Sequence, residues 1–90
     1  MELVRTLKVT HEAGFHARPS TAFVQLAQGF RSEVTIGRPE GEEADGKSVI
    51  AVLTLGLQQH EKIFLRVRGS DAEQAMEALV GLIRSNFQGE

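Results

Sequence analysis

The stretch KIFLRVR, Lys62 to Arg68, places Ile63, Leu65 and Val67 at alternate positions, with Lys62, Arg66 and Arg68 between them. Successive side chains point to opposite sides of a β-strand, so this segment has one apolar face that must be covered by another layer. The chain supplies a candidate cover at once. Ala72, Ala75, Met76, Leu79, Val80 and Ile83 trace one face of a helix that ends near Asn86. The preceding SDAE, Ser70 to Glu73, reads as a capping box, with the serine serving the third helical N–H and the glutamate reaching back. With 90 residues and no cysteine, such packing alone has to hold the fold, because disulfides and thiolate metal sites are excluded.

The remaining elements follow from the same two periods. Leu3 to Val9 alternates and reads as a strand, with Leu3, Leu7 and Val9 on its apolar side. His11 to Phe15 contains Gly14 and reads as a loop. From Pro19 to Gln28 the period becomes helical through Ala22, Phe23, Leu26 and Ala27, with Gly29 as the stop and Phe30 folding back. Ser32 to Ile36 is a second strand with Val34 and Ile36 inward. GRPEGEEADG is a turn-rich hairpin with room for a short third strand. Ser48 to Leu55 is a short apolar helix that stops at Gly56.

The order β-α-β-β-α-β-α suits an α+β fold of the open-faced sandwich kind. It predicts one four-stranded antiparallel sheet with three helices on a single face. Residues 1–90 are expected to form a single domain.

Composition narrows the function. A formal charge of −2 and a pI near 5.9 leave no basic stripe for nucleic acid, and the chain has no Trp or Tyr to stack on bases. No apolar run approaches the roughly 20 residues that span a bilayer, and the N-terminus lacks a signal-peptide core. A cytoplasmic protein is the simplest expectation. His11 and His60 read as solvated loop residues, neither with a second ligand at metal-binding spacing. The acidic cluster Glu40, Glu42 and Glu43 reads as a solvated hairpin, so no metal and no cofactor is expected.

GFHARPST, Gly14 to Thr21, is different. It sets His16 and Arg18 where a helix begins, and a helix start offers unpaired N–H groups and partial positive charge to an anion. Arg18 adds several donors suited to phosphate oxygens. An imidazole in that setting can act as a nucleophile, and a phosphoryl group placed on it meets donors already in position. For a bare His-x-Arg, a merely solvated loop is nonetheless the commoner arrangement.

The longer stretch AGFHARPSTAFVQLA closely resembles the active-site segment of the histidine-containing phosphocarrier protein (HPr) family of the bacterial phosphoenolpyruvate-dependent phosphotransferase system. DGKSVIAVLTLGL resembles the second signature of that family, around its regulatory serine. The resemblance covers essentially the whole chain, with matching element order and length.

The resemblance implies a stoichiometric phosphoryl carrier rather than a turnover enzyme. His16 occupies the position that accepts a phosphoryl group on Nδ1 from phosphorylated enzyme I, with phosphoenolpyruvate as the original donor. A IIA domain of a sugar transporter then takes the group. Arg18 matches the arginine that stabilises the phosphoryl group, and Pro19 the helix-opening proline. Ser48 matches the serine that a dedicated HPr kinase/phosphorylase modifies in some bacteria; by itself it also reads as a plain N-cap.

The helix after Ser48 is apolar nearly all round, too broad for one-sided burial. If Val52 and Leu55 enter the core, Val49, Ile50 and Leu53 remain largely exposed, and an exposed apolar patch marks a docking surface. The resemblance implies that enzyme I and IIA domains dock there, with Ala17 and Thr21 completing the surface, and that the carrier is a monomer. Departures from the family pattern include Ser20 where alanine is frequent, Ala51 where glycine or lysine is common, and a longer acidic hairpin. That hairpin is similar to those of the nitrogen-regulatory branch, which is the alternative to the sugar branch. A small acyl-phosphate hydrolase and a regulatory module without phosphotransfer are the competing readings.

Overall fold

The computed structural model describes residues 1–87. Strands β1 (Glu2–Lys8), β2 (Glu33–Gly37), β3 (Glu43–Asp45) and β4 (Lys62–Arg68) form one sheet in the order β1-β4-β2-β3. Every pairing is antiparallel. Helices α1 (Ala17–Gln28), α2 (Val49–Leu55) and α3 (Ala72–Arg84) complete the expected β-α-β-β-α-β-α order.

The central position of β4 explains its clean pattern. Leu7 pairs with Ile63 on one side and Ile36 with Leu65 on the other, so its inward residues are enclosed by neighbours as well as by helices. Ile63, Leu65 and Val67 are fully buried, each burial contributing about 1.5–3 kcal/mol. They meet Phe23, Val24 and Ala27 of α1, Val52 of α2, and Ala72, Ala75, Met76, Leu79 and Ile83 of α3 in one core. The opposite face is open and polar. There Arg66 pairs with Glu43 at 2.9 Å and Arg68 with Glu33 at 3.1 Å.

One expectation about helix ends is corrected. Ser70 is not the cap of α3; Asp71 is, and its side chain does not bond the helix. Its carboxylate instead accepts from the backbone N–H of Arg31 at 2.8 Å and of Ser32 at 3.0 Å, and from the Ser32 hydroxyl at 2.5 Å. The carboxylate therefore fastens the entry to β2 onto the start of α3, an attachment that outcompetes a local cap. At the other helix, Gly29 ends α1 as expected; its φ of −76° makes the exit an ordinary right-handed turn.

The bond from the Ser32 hydroxyl, followed by those from the backbone, holds Asp71 below the usual carboxylate range. A lowered folded-state pKa contributes stability that is complete above the unfolded value and is lost as pH falls through the folded value. The melting temperature should therefore drop as pH is lowered from about 5 through the carboxylate range. Asp71→Asn should melt lower at neutral pH, and its curve should converge on the wild-type curve in acid. Parallel curves would contradict the assignment.

Candidate functional site

The site is built where the 11–16 loop turns into α1. Gly14 has φ +61° and sits against the turn after α2: a Cβ there would lie 2.5 Å from the Leu57 carbonyl oxygen and 2.9 Å from Gln58 Cα. This close approach lets the Phe15 N–H donate to the Leu57 carbonyl at 2.9 Å. The Phe15 ring is buried, edge-on to Phe23 at 5.7 Å and to Phe87 at 5.2 Å. With Phe15 anchored on both backbone and ring, the next residue is forced outward.

That residue is His16, the N-cap of α1, with extended backbone and an exposed side chain that caps nothing. Its carbonyl accepts the Ser20 N–H at 2.9 Å, closing the first turn. Pro19 is buried in that turn and has no N–H to satisfy. Ser20 is buried too, and its hydroxyl donates to the Phe15 carbonyl at 2.6 Å. The serine noted as a departure from the family pattern thus ties helix to loop. The first turn carries no acidic residue, and Arg18 is exposed with no ion pair among the described residues. An anion arriving here meets an uncompensated helix start and a guanidinium with no carboxylate partner.

Beside His16 lies a shallow recess of ≈ 200 Å³, lined by Phe15, Ala17, Leu53, Gly56, Leu57 and Gln58. Ala17 and Leu53 of the expected docking patch therefore border the histidine. Ile50 is 76% exposed, the most exposed large apolar side chain of the described residues. Thr21 is half-buried. Val49 departs from expectation: it is half-buried and packs on the core, because it lies three residues before the buried Val52, on the same side of the helix. Val52 and Leu55 are buried as expected. Ser48 is the N-cap of α2, its hydroxyl accepting the Ala51 N–H at 3.2 Å.

The other histidines lie apart from this arrangement in different ways. His60 is exposed, with φ +78°. His11 is less solvated than its sequence suggests, because its Nδ1 accepts the Ala13 N–H at 3.0 Å and its ring stands edge-on to Phe87 at 5.6 Å. In the acidic hairpin, Glu42 bonds Arg38 at 3.1 Å and Glu43 bonds Arg66. Among the described residues no group of three or more His, Cys, Asp or Glu could hold a metal ion, and no helix is long and apolar enough to cross a membrane.

Sequence reasoning missed one polar cluster altogether. Arg38, just past β2, reaches Glu61 and the end of α2. Its partners lie 17 and 23 residues away, and no local pattern signals such a contact.

A histidine on the protein's surface, at a helix start and beside a shallow recess, is open to a partner of any size. Residues 3–85 match the family model described as the PTS HPr component phosphorylation site, and the chain belongs to this family of phosphocarriers. It is 37% identical over 87 residues to the phosphocarrier protein NPr of Escherichia coli, with 97% of each chain covered. It is 36% identical to the phosphocarrier protein HPr of Pseudomonas putida, covering 96% of this chain and 97% of that one. The crystal structure of HPr from Thermoanaerobacter tengcongensis superimposes with a TM-score of 0.90 at 34% identity, covering 98% of both chains. Proteins of this family carry phosphoryl groups and do not turn substrate over, which removes the acyl-phosphate hydrolase reading.

Proposed function

We propose that His16 accepts a phosphoryl group from phosphorylated enzyme I, charged by phosphoenolpyruvate, and hands it to a IIA domain. The observation that carries this reading is the exposed, uncommitted imidazole of His16 at an α1 start that has no acidic residue in its first turn. In the transfer, an imidazole nitrogen attacks the phosphorus as the bond from phosphorus to the donor group on enzyme I breaks, the released electron pair staying with the donor. The N–H groups of Ala17 and Arg18 face an entering anion without intrahelical partners, and the Arg18 guanidinium adds charge-assisted donors. The phosphoryl group leaves by the reverse displacement. Ile50 and Leu53, with Ala17 and Thr21 beside them and Val49 contributing its exposed part, form the surface on which either partner docks. Ser48, already capping α2, is where a kinase would add phosphate at a helix start that favours it.

Incubation with enzyme I and phosphoenolpyruvate should add one phosphoryl group by intact mass, stable at neutral pH and lost in acid. An acid-stable adduct would point to Ser48 and against His16.

Arg18→Lys keeps the charge and loses the planar fork. Transfer should slow by about tenfold, the equivalent of about 1.4 kcal/mol, while phosphorylation remains complete at long times. Rates equal to wild type would make Arg18 a bystander.

The nitrogen-regulatory branch is a second reading, favoured by the NPr relatives and by the acidic hairpin. Either reading leaves the chemistry at His16 the same. Offering the chain to the enzyme I of each branch at equal concentration separates them, the faster donor marking the branch.

A further inference from the structure

Arg38 makes more side-chain hydrogen bonds than its place at the surface requires. Its Nε and Nη2 donate to the two oxygens of Glu61 at 2.7 and 3.0 Å. Nη1 donates to the Leu55 carbonyl at 2.8 Å and to Glu42 at 3.1 Å, and Nη2 also reaches the Gly56 carbonyl at 3.3 Å. Carbonyls at a helix end have no partner within the helix, so the guanidinium serves as a side-chain cap for α2. Glu61 adds a second hold on the same turn, its Oε2 accepting the Gln58 N–H at 2.9 Å.

The far side of that turn is where the histidine loop rests. Leu57 receives the Phe15 N–H, and Gly14 lies against Leu57 and Gln58. One continuous set of contacts therefore runs from Arg38 and Glu61, through residues 55–58, to Gly14 and Phe15, and so to His16. We propose that Arg38, locked by Glu61, is a positioning residue for phosphoryl transfer at His16. This rests on the reading of His16 as the acceptor.

The planar fork is what the site needs, because two oxygens of one carboxylate and two backbone carbonyls lie around a single guanidinium; an ammonium could not serve all four. The pair is also held charged. The hydrogen bond between them raises Arg38 and lowers Glu61 from their ordinary values. The ion pairs Arg66–Glu43 and Arg68–Glu33 lie on the open sheet face, and neither includes a residue of this set.

Small misplacements of a reacting group are costly, about 1 Å being worth as much as a hundredfold in rate. Arg38→Met should lower the maximal rate of phosphorylation by enzyme I and phosphoenolpyruvate about tenfold per folded molecule, with the half-saturating carrier concentration changed less than about twofold. Hydrogen exchange at the Phe15 amide should quicken about tenfold relative to the Leu65 amide in β4. Arg38→Lys should recover only part of both, and Arg66→Met, which also removes one ion pair, should change neither. An Arg38→Met carrier that transfers at the wild-type rate overturns the proposal, as does an equal loss in Arg66→Met. If Arg38→Met does not fold, Arg38→Lys and Glu61→Gln carry the same comparison. If the wild-type protein accepts no phosphoryl group at all, the acceptor reading fails, while Phe15 exchange still decides whether Arg38 anchors the loop.

Discussion

His16→Ala is expected to fold like the wild type and to accept no phosphoryl group from enzyme I. The imidazole is exposed and makes no cap bond, so its removal costs no packing. The one contact that the helix takes from this residue is backbone, the His16 carbonyl receiving the Ser20 N–H, and alanine keeps it. A surface change of this kind stays within about 0.5 kcal/mol, which for a domain of this size is a melting shift of no more than about 4 °C. The chemistry has no such margin, because a methyl group cannot receive a phosphoryl group. Acid-labile phosphorylation of the folded mutant would move the acceptor to His11 or His60.

Gly14→Ala is expected to do the reverse, leaving the nucleophile intact and damaging what holds it. A left-handed backbone costs a residue with a Cβ about 1–2 kcal/mol. The added methyl would also stand 2.5 Å from the Leu57 carbonyl oxygen, a contact with backbone that no side-chain movement relieves. Relief requires the loop to lift, and lifting stretches the bond from the Phe15 N–H to the Leu57 carbonyl. Together these should cost about 3 kcal/mol, a fall of roughly 15 °C in melting temperature. Transfer should fall as well, since His16 follows the displaced residues. Gly81→Ala is the internal comparison. Gly81 is exposed within α3 with nothing within 4 Å of the added methyl, so the same substitution there should stabilise by about 0.5–1 kcal/mol. A Gly14→Ala protein as stable as wild type would contradict the close approach.

The elements that could be read from the sequence are those whose determinants are local. The alternation of Lys62 to Arg68 survives because β4 is flanked on both sides, and the helical period behind Asp71 survives because one face of α3 is fully buried. Strand β3 spans only Glu43–Asp45 and has a single half-buried apolar residue, Ala44, so periodicity could offer no more than room for a short strand. The capping box at Ser70 failed for a different reason. Its residues have the right chemistry for a local cap, and Asp71 spends its carboxylate on Arg31 and Ser32, about forty positions away.

The candidate site divides along the same line. His16, Arg18 and Pro19 stand within four residues, so their grouping is visible in the chain itself. What fixes their placement is not. The Phe15 amide depends on Leu57, the 55–58 turn depends on Arg38 and Glu61, and the Phe15 ring depends on Phe87. Each pairing joins residues far apart in sequence through polar atoms or ring edges, which leave no periodic trace. Val49 shows the limit for apolar positions too, since a helix of seven residues barely defines which side faces inward.

A phosphocarrier of this kind is defined by the atom that carries the phosphorus. The measurement is nuclear magnetic resonance of the protein labelled with nitrogen-15 in its histidine rings, after charging with enzyme I and phosphoenolpyruvate at neutral pH. Coupling to phosphorus should appear on one ring nitrogen of His16, its Nδ1, with the rings of His11 and His60 unchanged. Coupling on His11 or His60, or a charged protein whose three imidazoles all remain unmodified, would contradict it.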